Sequence, residues 1–165
     1  MSQNFVLDSN IFIEASRRYY PFDFAMPFWI FLVDQASNRN LLSIDKVYDE
    51  ITNGNDELKD WITTIFQPYF VSTQSSDILL AYQNLVQHID TNSQYNQRAK
   101  DVFMEVANAD TWILAYALAK NAKIVTHEVI DPNVKKRVPI PNVCVDFNID
   151  YCDSFAMLRS LNFTF

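Results

Sequence analysis

Four carboxylates sit at positions where sequence pattern brings acids toward the interior of a fold. Asp8 directly follows the apolar run "FVL", Glu128 comes just after "KIVT", Asp110 opens the helical pattern "ADTWILAYALAK", and Glu50 lies within "SIDKVYDEI". A carboxylate ending a buried strand is costly unless it caps a helix, binds something or reacts with something. Ile113, Leu114, Ala117 and Leu118 follow Asp110 at offsets of three, four, seven and eight, so Asp110 shares the inward stripe of its helix. It also falls in the first turn, with Asn108 as the expected cap, where the helix dipole stabilises an anion. In the Glu50 segment Asp45 is the expected cap, and Val47, Tyr48 and Ile51 mark the apolar face. At about 100° per residue Glu50 falls beside that face and Asp49 nearly opposite, in solvent.

Each acid also has a plain reading, as a cap, an exposed flank or a turn residue. Together they amount to more. Two strand-end and two inward helical carboxylates would gather several negative charges, and a pair of like charges at about 4 Å repels by about 4 kcal/mol at an effective dielectric near 20. Something positive must neutralise them. An all-oxygen set suits Mg²⁺ or Mn²⁺ better than zinc, which favours nitrogen and sulfur ligands.

The elements that must position these acids follow from periodicity. Short, partly β-branched runs at 5–7, 41–44, 69–71, 123–126 and 143–147 ("VCVDF") are expected as buried strands. Helical patterns fall between or beside them at about 10–19, 27–38, 46–53, 56–66, 76–90, 95–107, 109–121 and 153–161. That order predicts an α/β fold, a three-layer α/β/α sandwich with a mainly parallel central sheet. Ligands in such folds sit beyond the carboxyl ends of the strands, where Asp8 and Glu128 lie.

A chain of 165 residues, 49% hydrophobic and 20% charged, fits a single domain spanning 1–165 with its own core. Thirteen basic against twenty acidic residues give 13 − 20 = −7, so any polyanion must be met by local positive charge. The single glycine, Gly54, excludes a glycine-rich phosphate loop. Cys144 and Cys152 have no Cys-x-x-Cys spacing, and no signal peptide or span of roughly 20 apolar residues is seen, so a cytoplasmic protein without membrane attachment is expected.

The strand with "LDSN", the segment "VYDEI", the helix "ADTWILAYALA" and the strand end "IVTHE" together resemble the PIN-domain ribonuclease superfamily. "EASRRYYPFDF", "THEV" and "IPNVC" resemble its branch of short, single-domain bacterial toxin-type proteins, so the likeness covers nearly the whole chain. The superfamily's first three acids match Asp8, Glu50 and Asp110. Its fourth is usually an Asp two residues after a Thr; here Thr126 is followed by Glu128, and the longer arm leaves direct ligation and a water-bridged role both open. The resemblance implies Mg²⁺- or Mn²⁺-dependent hydrolysis of single-stranded RNA to a 5′-phosphate and a 3′-hydroxyl. Asp8, Glu50, Asp110 and Glu128 would be the catalytic and metal-holding residues, supported by Ser9, Asn10 and Thr126. It further implies the toxin of a type II toxin–antitoxin pair, with an antitoxin protein as partner.

RNA contact is expected from Arg17 and Arg18, at the end of the first helix, and from the basic run Lys135, Lys136 and Arg137. Tyr19, Tyr20 and Trp112 are candidates for stacking on bases, although Trp112 beside Ile113 and Leu114 equally suits the core. His127 is expected to point to the far side of the strand end, and His88 has no partner in view. The apolar segment "MPFWIFLV" (26–33) exceeds one helix stripe and is expected to be covered by an antitoxin or by a second copy in a homodimer. Two other readings remain open: a PIN-like module that binds RNA or protein without hydrolysis, and a doubly wound phospho-relay or small-molecule domain. The absence of a strand-end lysine and the presence of the helical Glu50 argue against the second.

Overall fold

The computed structural model describes residues 3–165. Five short strands, β1 (Phe5–Leu7), β2 (Leu41–Ile44), β3 (Phe70–Val71), β4 (Lys123–Val125) and β5 (Tyr151–Cys152), form one sheet in the order β3-β2-β1-β4-β5. All pairings are parallel, with Val6 opposite Leu42 on one side and Ile124 on the other. Parallel strands need crossover connections, and the helices that make them cover both faces of the sheet. The result is a three-layer α/β/α sandwich, in which Val6, Leu7, Ile44, Ile124 and Val125 are fully buried because no face is left to water.

The helices are α1 (Ser9–Glu14), α2 (Met26–Ser37), α3 (Asp45–Thr52), α4 (Glu57–Trp61), α5 (Ser76–Asp90), α6 (Gln97–Met104), α7 (Ala109–Lys120), α8 (Ile140–Phe147) and α9 (Ser154–Ser160). π-helical turns extend α1 over Ala15–Tyr19 and α4 over Ile62–Phe66. Helix α7 packs against α3, α5, α6 and α8, which explains why Ala109 and every residue from Thr111 to Ala117 are buried. With one glycine in the chain, asparagine takes the left-handed position that ends helices: Asn121 after α7 (φ 54°) and Asn148 after α8 (φ 55°).

Two expectations are corrected. The run "VCVDF" is helix, not strand, because Ile140, Val143, Cys144 and Phe147 recur at helical spacing and turn inward together. The fifth strand is instead Tyr151–Cys152, joined to β4 by the Ile124 N–H to Asp150 carbonyl and Thr126 N–H to Cys152 carbonyl bonds, both 2.9 Å. Asp45 is the first residue of α3 rather than its cap. Its carboxylate accepts from the Lys46 N–H at 2.8 Å and the Thr73 N–H at 3.1 Å, tying the helix start to the segment after β3.

The aromatic residues largely pack on one another. Trp29 stacks on Phe22 at 4.1 Å, meets Trp61 at 4.8 Å and donates its indole N–H to the Tyr20 carbonyl at 2.7 Å. This cluster absorbs most of "MPFWIFLV": Phe28, Trp29 and Leu32 are fully buried within the chain, while Met26 (43% exposed) and Ile30 (63%) remain at the surface. Among the described residues no helix is long and apolar enough to cross a membrane. From β1 the chain first builds outward through β2 and β3, then returns to add β4 and β5 on the other side. The strand order therefore reverses between β1 and β4, and the crevice beyond their carboxyl ends is where such sheets place a ligand.

Candidate functional site

Asp8, Asp110 and Glu128 converge at that crevice. Each offers a carboxylate oxygen, and these oxygens lie within 4.8 Å of one another. Three different routes bring them there. Asp8 directly follows β1 and caps α1, with extended backbone (φ −71°, ψ 155°) and a 2.7 Å bond accepted from the Ser9 N–H. Asp110 is held in the first turn of α7 by Asn108, whose side chain accepts from the Asp110 N–H at 3.1 Å. Glu128 follows β4, and its longer arm reaches both aspartates while also accepting from the Ile140 N–H at the start of α8 at 3.4 Å.

Thr126 organises the strand end. Its hydroxyl donates to Asp8 Oδ2 at 2.9 Å and accepts from the Glu128 N–H at 3.1 Å and Asn10 Nδ2 at 3.4 Å. Asn10 in turn accepts from the His127 N–H at 3.3 Å. Glu50 stands further out. It is exposed on α3, and its Oε1 accepts from the Ser9 hydroxyl at 3.2 Å, so Ser9 bridges Asp8 and Glu50. Asp49, one residue earlier, is exposed.

The electrostatics of this arrangement are unfavourable without a counterion. At 4.8 Å, two carboxylates repel by about 3 kcal/mol at an effective dielectric near 20. Burial pushes the Asp8 carboxyl well above the ordinary range, and the charges of Glu128 and Glu50 push further, against the bonds from Thr126 and Ser9. Asp110 is raised by burial first and then by Asp8, Glu128 and Glu50. Glu128 is raised by burial, opposed by the Ile140 N–H and Arg137. The only ion pair made by any of these acids among the described residues is a loose one, Arg137 Nη1 to Glu128 Oε1 at 3.6 Å. Converging, half-desolvated oxygens with raised proton affinity and no nitrogen or sulfur donor fit a hard divalent cation.

The basic residues divide. Lys136 and Arg137 line a cavity that also touches Asp110 and Glu128, whereas Lys135 is exposed and its carbonyl accepts from the Asn96 N–H at 2.8 Å. Arg17 and Arg18 are exposed at the π-helical end of α1, and Arg18 pairs with Glu14 at 3.3 Å. Neither arginine pairs with the four acids. Tyr20 and Trp112 are not available to bases: the first stacks on Phe28 and the second on Tyr82, each at 4.1 Å. Tyr19 remains exposed, beside His127 at 5.7 Å and Phe155 at 5.3 Å. His127 turns away from the acids, its Nε2 3.3 Å from the Ser154 hydroxyl, and burial lowers its pKa. His88 has the partner that the sequence did not show, Asp146 at 2.9 Å. Sequence reasoning also missed Arg98, which lines the same cavity as Lys136 and Arg137 from α6. It lies 12 positions before Asp110 in an ordinary amphipathic helix, and no local pattern singles it out.

A chain of the crystal structure of VapBC2 from Rickettsia felis bound to a DNA fragment from their promoter is similar in fold. The identity is 16%, the match covers 90% of this chain and 97% of that one, and the TM-score is 0.54. The two chains thus share the parallel α/β/α fold described above. A comparison with curated proteins finds no match. Over residues 5–165 the sequence matches the family described as Domain of unknown function (DUF4411), and the chain belongs to that family.

Proposed function

We propose that this chain is a Mg²⁺- or Mn²⁺-dependent endoribonuclease that hydrolyses single-stranded RNA, and that it is the toxin of a type II toxin–antitoxin pair acting in the cytoplasm. The observation that carries the proposal is the convergence of Asp8, Asp110 and Glu128 at the strand-order reversal of a PIN-like sheet. The likeness in fold to a chain of VapBC2 supports the toxin reading and an antitoxin partner.

Asp8, Asp110 and Glu128 would hold the divalent ion. When bound, such an ion supplies Lewis-acid stabilisation to the charge that builds on a phosphate under attack by water. The chain's own groups do the rest. Thr126 and Ser9 fix the two oxygens of Asp8, and Asn10 fixes Thr126, so the cluster is held before substrate arrives. Glu50, exposed at the rim and anchored through Ser9, orients water on the open side. Arg17, Arg18, Lys135, Lys136 and Arg137 draw the RNA backbone toward an otherwise acidic molecule. No protein nucleophile is needed, and the products are a 5′-phosphate and a 3′-hydroxyl.

Purified protein incubated with mixed single-stranded RNAs tests this directly. Cleavage with Mn²⁺, none with EDTA, and product ends that carry the 5′-phosphate support the reading. RNA binding with no metal-dependent cleavage would replace it with a PIN-like binding module.

A further inference from the structure

A cavity of about 150 Å³ opens between α6, the start of α7 and the segment after β4. Its lining includes Asp110 and Glu128 together with Arg98, Lys136 and Arg137. Three cations in one small cavity are a concentration of positive charge that the composition does not lead one to expect, since the chain has only 13 basic residues and a net charge of −7. Among the described residues Arg98 and Lys136 have no acidic partner, and the Arg137 contact with Glu128 is loose at 3.6 Å. Arg98 even lies in the first turn of α6, where the helix dipole disfavours a cation. A buried Phe103 closes part of the cavity, and an apolar boundary strengthens charge–charge attraction there.

Asp110 and Glu128 belong both to the acid cluster and to the cavity lining, so the cations adjoin the cluster. A strand whose scissile phosphate lies at the acids would bring a neighbouring phosphate toward this positive region. A nucleobase is less well matched, because no unpaired hydrogen-bonding amide faces the cavity: Asn108 already uses its carbonyl on the Asp110 N–H and its amide on the Val102 carbonyl.

We propose that Arg98, Lys136 and Arg137 form a subsite for the backbone phosphate adjacent to the scissile one. The assignment rests on the endoribonuclease reading for its choice of polymer. Arg98 is its distinctive member, because it belongs to a different element from the basic run and can be removed without touching that run.

The test uses the whole chain and a short, fluorescein-labelled 2′-O-methyl oligoribonucleotide, whose integrity after binding is checked by electrophoresis. Affinity is read by anisotropy over a series of KCl concentrations with Mg²⁺ present. Arg98→Gln and Lys136→Gln are each expected to lower the slope of log affinity against log salt by about 0.7, and the double variant by about 1.4. For the double variant that is about a 25-fold loss at 0.1 M salt relative to 1 M. Arg98→Lys, which keeps the charge, should retain most of the slope. Both positions are exposed, and unchanged melting curves would show that the variants fold. An unchanged slope in Arg98→Gln, or no binding by the wild type, overturns the subsite. Cleavage of unmodified RNA is followed in parallel. If the wild type does not cleave but binds with an Arg98-dependent slope, the subsite stands and the nuclease reading fails. If it cleaves and the slope is independent of Arg98, the nuclease reading stands and the subsite fails.

Discussion

Asp110→Asn isolates the strain of the acid cluster better than any change at Asp8. Asp8 is at once a cap and a member of the cluster, accepting from the Ser9 N–H and the Thr126 hydroxyl, so its removal mixes two effects. The Asp110 carboxylate accepts no hydrogen bond among the described residues and is left with burial and three neighbouring acids. Asparagine keeps its shape, deletes the charge and gains an N–H for Asp8 or Glu128. The pKa of Asp110 is raised from 3.8 to about 8 and that of Asp8 to about 7. For an acid whose folded pKa lies above its unfolded value, the folded state binds more protons in between, so stability falls as pH rises through that window. Each unit corresponds to about 1.4 kcal/mol, which for Asp110 sets a ceiling of about 6 kcal/mol. At about 2 to 4 °C per kcal/mol, the metal-free wild type should lose roughly 10 °C in melting temperature between about pH 4 and about pH 8. Asp110→Asn should match the wild type at the acid end and melt several degrees higher at the alkaline end. Thermal melts in EDTA across that range decide the matter. A wild-type melting temperature that does not fall, or a variant that melts lower at about pH 8, would refute the reasoning.

Thr126→Val keeps volume but leaves a buried Asp8 oxygen without its donor and the Glu128 N–H without its acceptor. It should cost about 1 to 3 kcal/mol in a denaturant melt and lower cleavage, whereas a change within error would mean that solvent replaces the hydroxyl. Adding Mn²⁺ at about one hundred times its dissociation constant should stabilise the wild type by about 2.7 kcal/mol, roughly 5 to 10 °C, and Asp110→Asn far less. Equal responses would place the ion elsewhere. The groove of about 430 Å³ bordered by Met26, Trp29, Ile30, Val33, Trp61 and Ile65 is the remnant of the apolar segment, and we expect an antitoxin or a second copy to cover it. Ile30→Lys should leave the melting temperature of the isolated chain nearly unchanged and abolish the association seen in light scattering or with the native partner; association that survives the change would move the interface elsewhere.

The parts of the fold that were legible in the sequence are those whose pattern is long or strict. The strands at 5–7, 41–44 and 123–125 are mostly buried and apolar, and α5 and α7 carry full helical periods. The fifth strand was not legible because two residues, Tyr151 and Cys152, carry no period, while "VCVDF" mimicked a strand with the inward face of a helix. The convergence of Asp8, Asp110 and Glu128 was readable because each sits at the end or start of such an element, where pattern alone decides direction. Arg98 was not, because its position depends on how α6 packs beside the segment after β4, a contact between residues almost 40 positions apart in the chain. For the same reason Tyr20 was a candidate for stacking on bases, and Trp112 was open between bases and core, until the packing of Phe28 and Tyr82 was seen.

The central claim is that the convergence of Asp8, Asp110 and Glu128 exists to hold a divalent ion. Anomalous diffraction at the manganese edge, from crystals grown with Mn²⁺, tests it most directly. The account expects an anomalous peak bonded to oxygens of Asp8, Asp110 and Glu128, with Thr126 still on Asp8 and the Arg137 guanidinium withdrawn from Glu128. Carboxylates that share protons with each other and show no peak at saturating Mn²⁺ would contradict it.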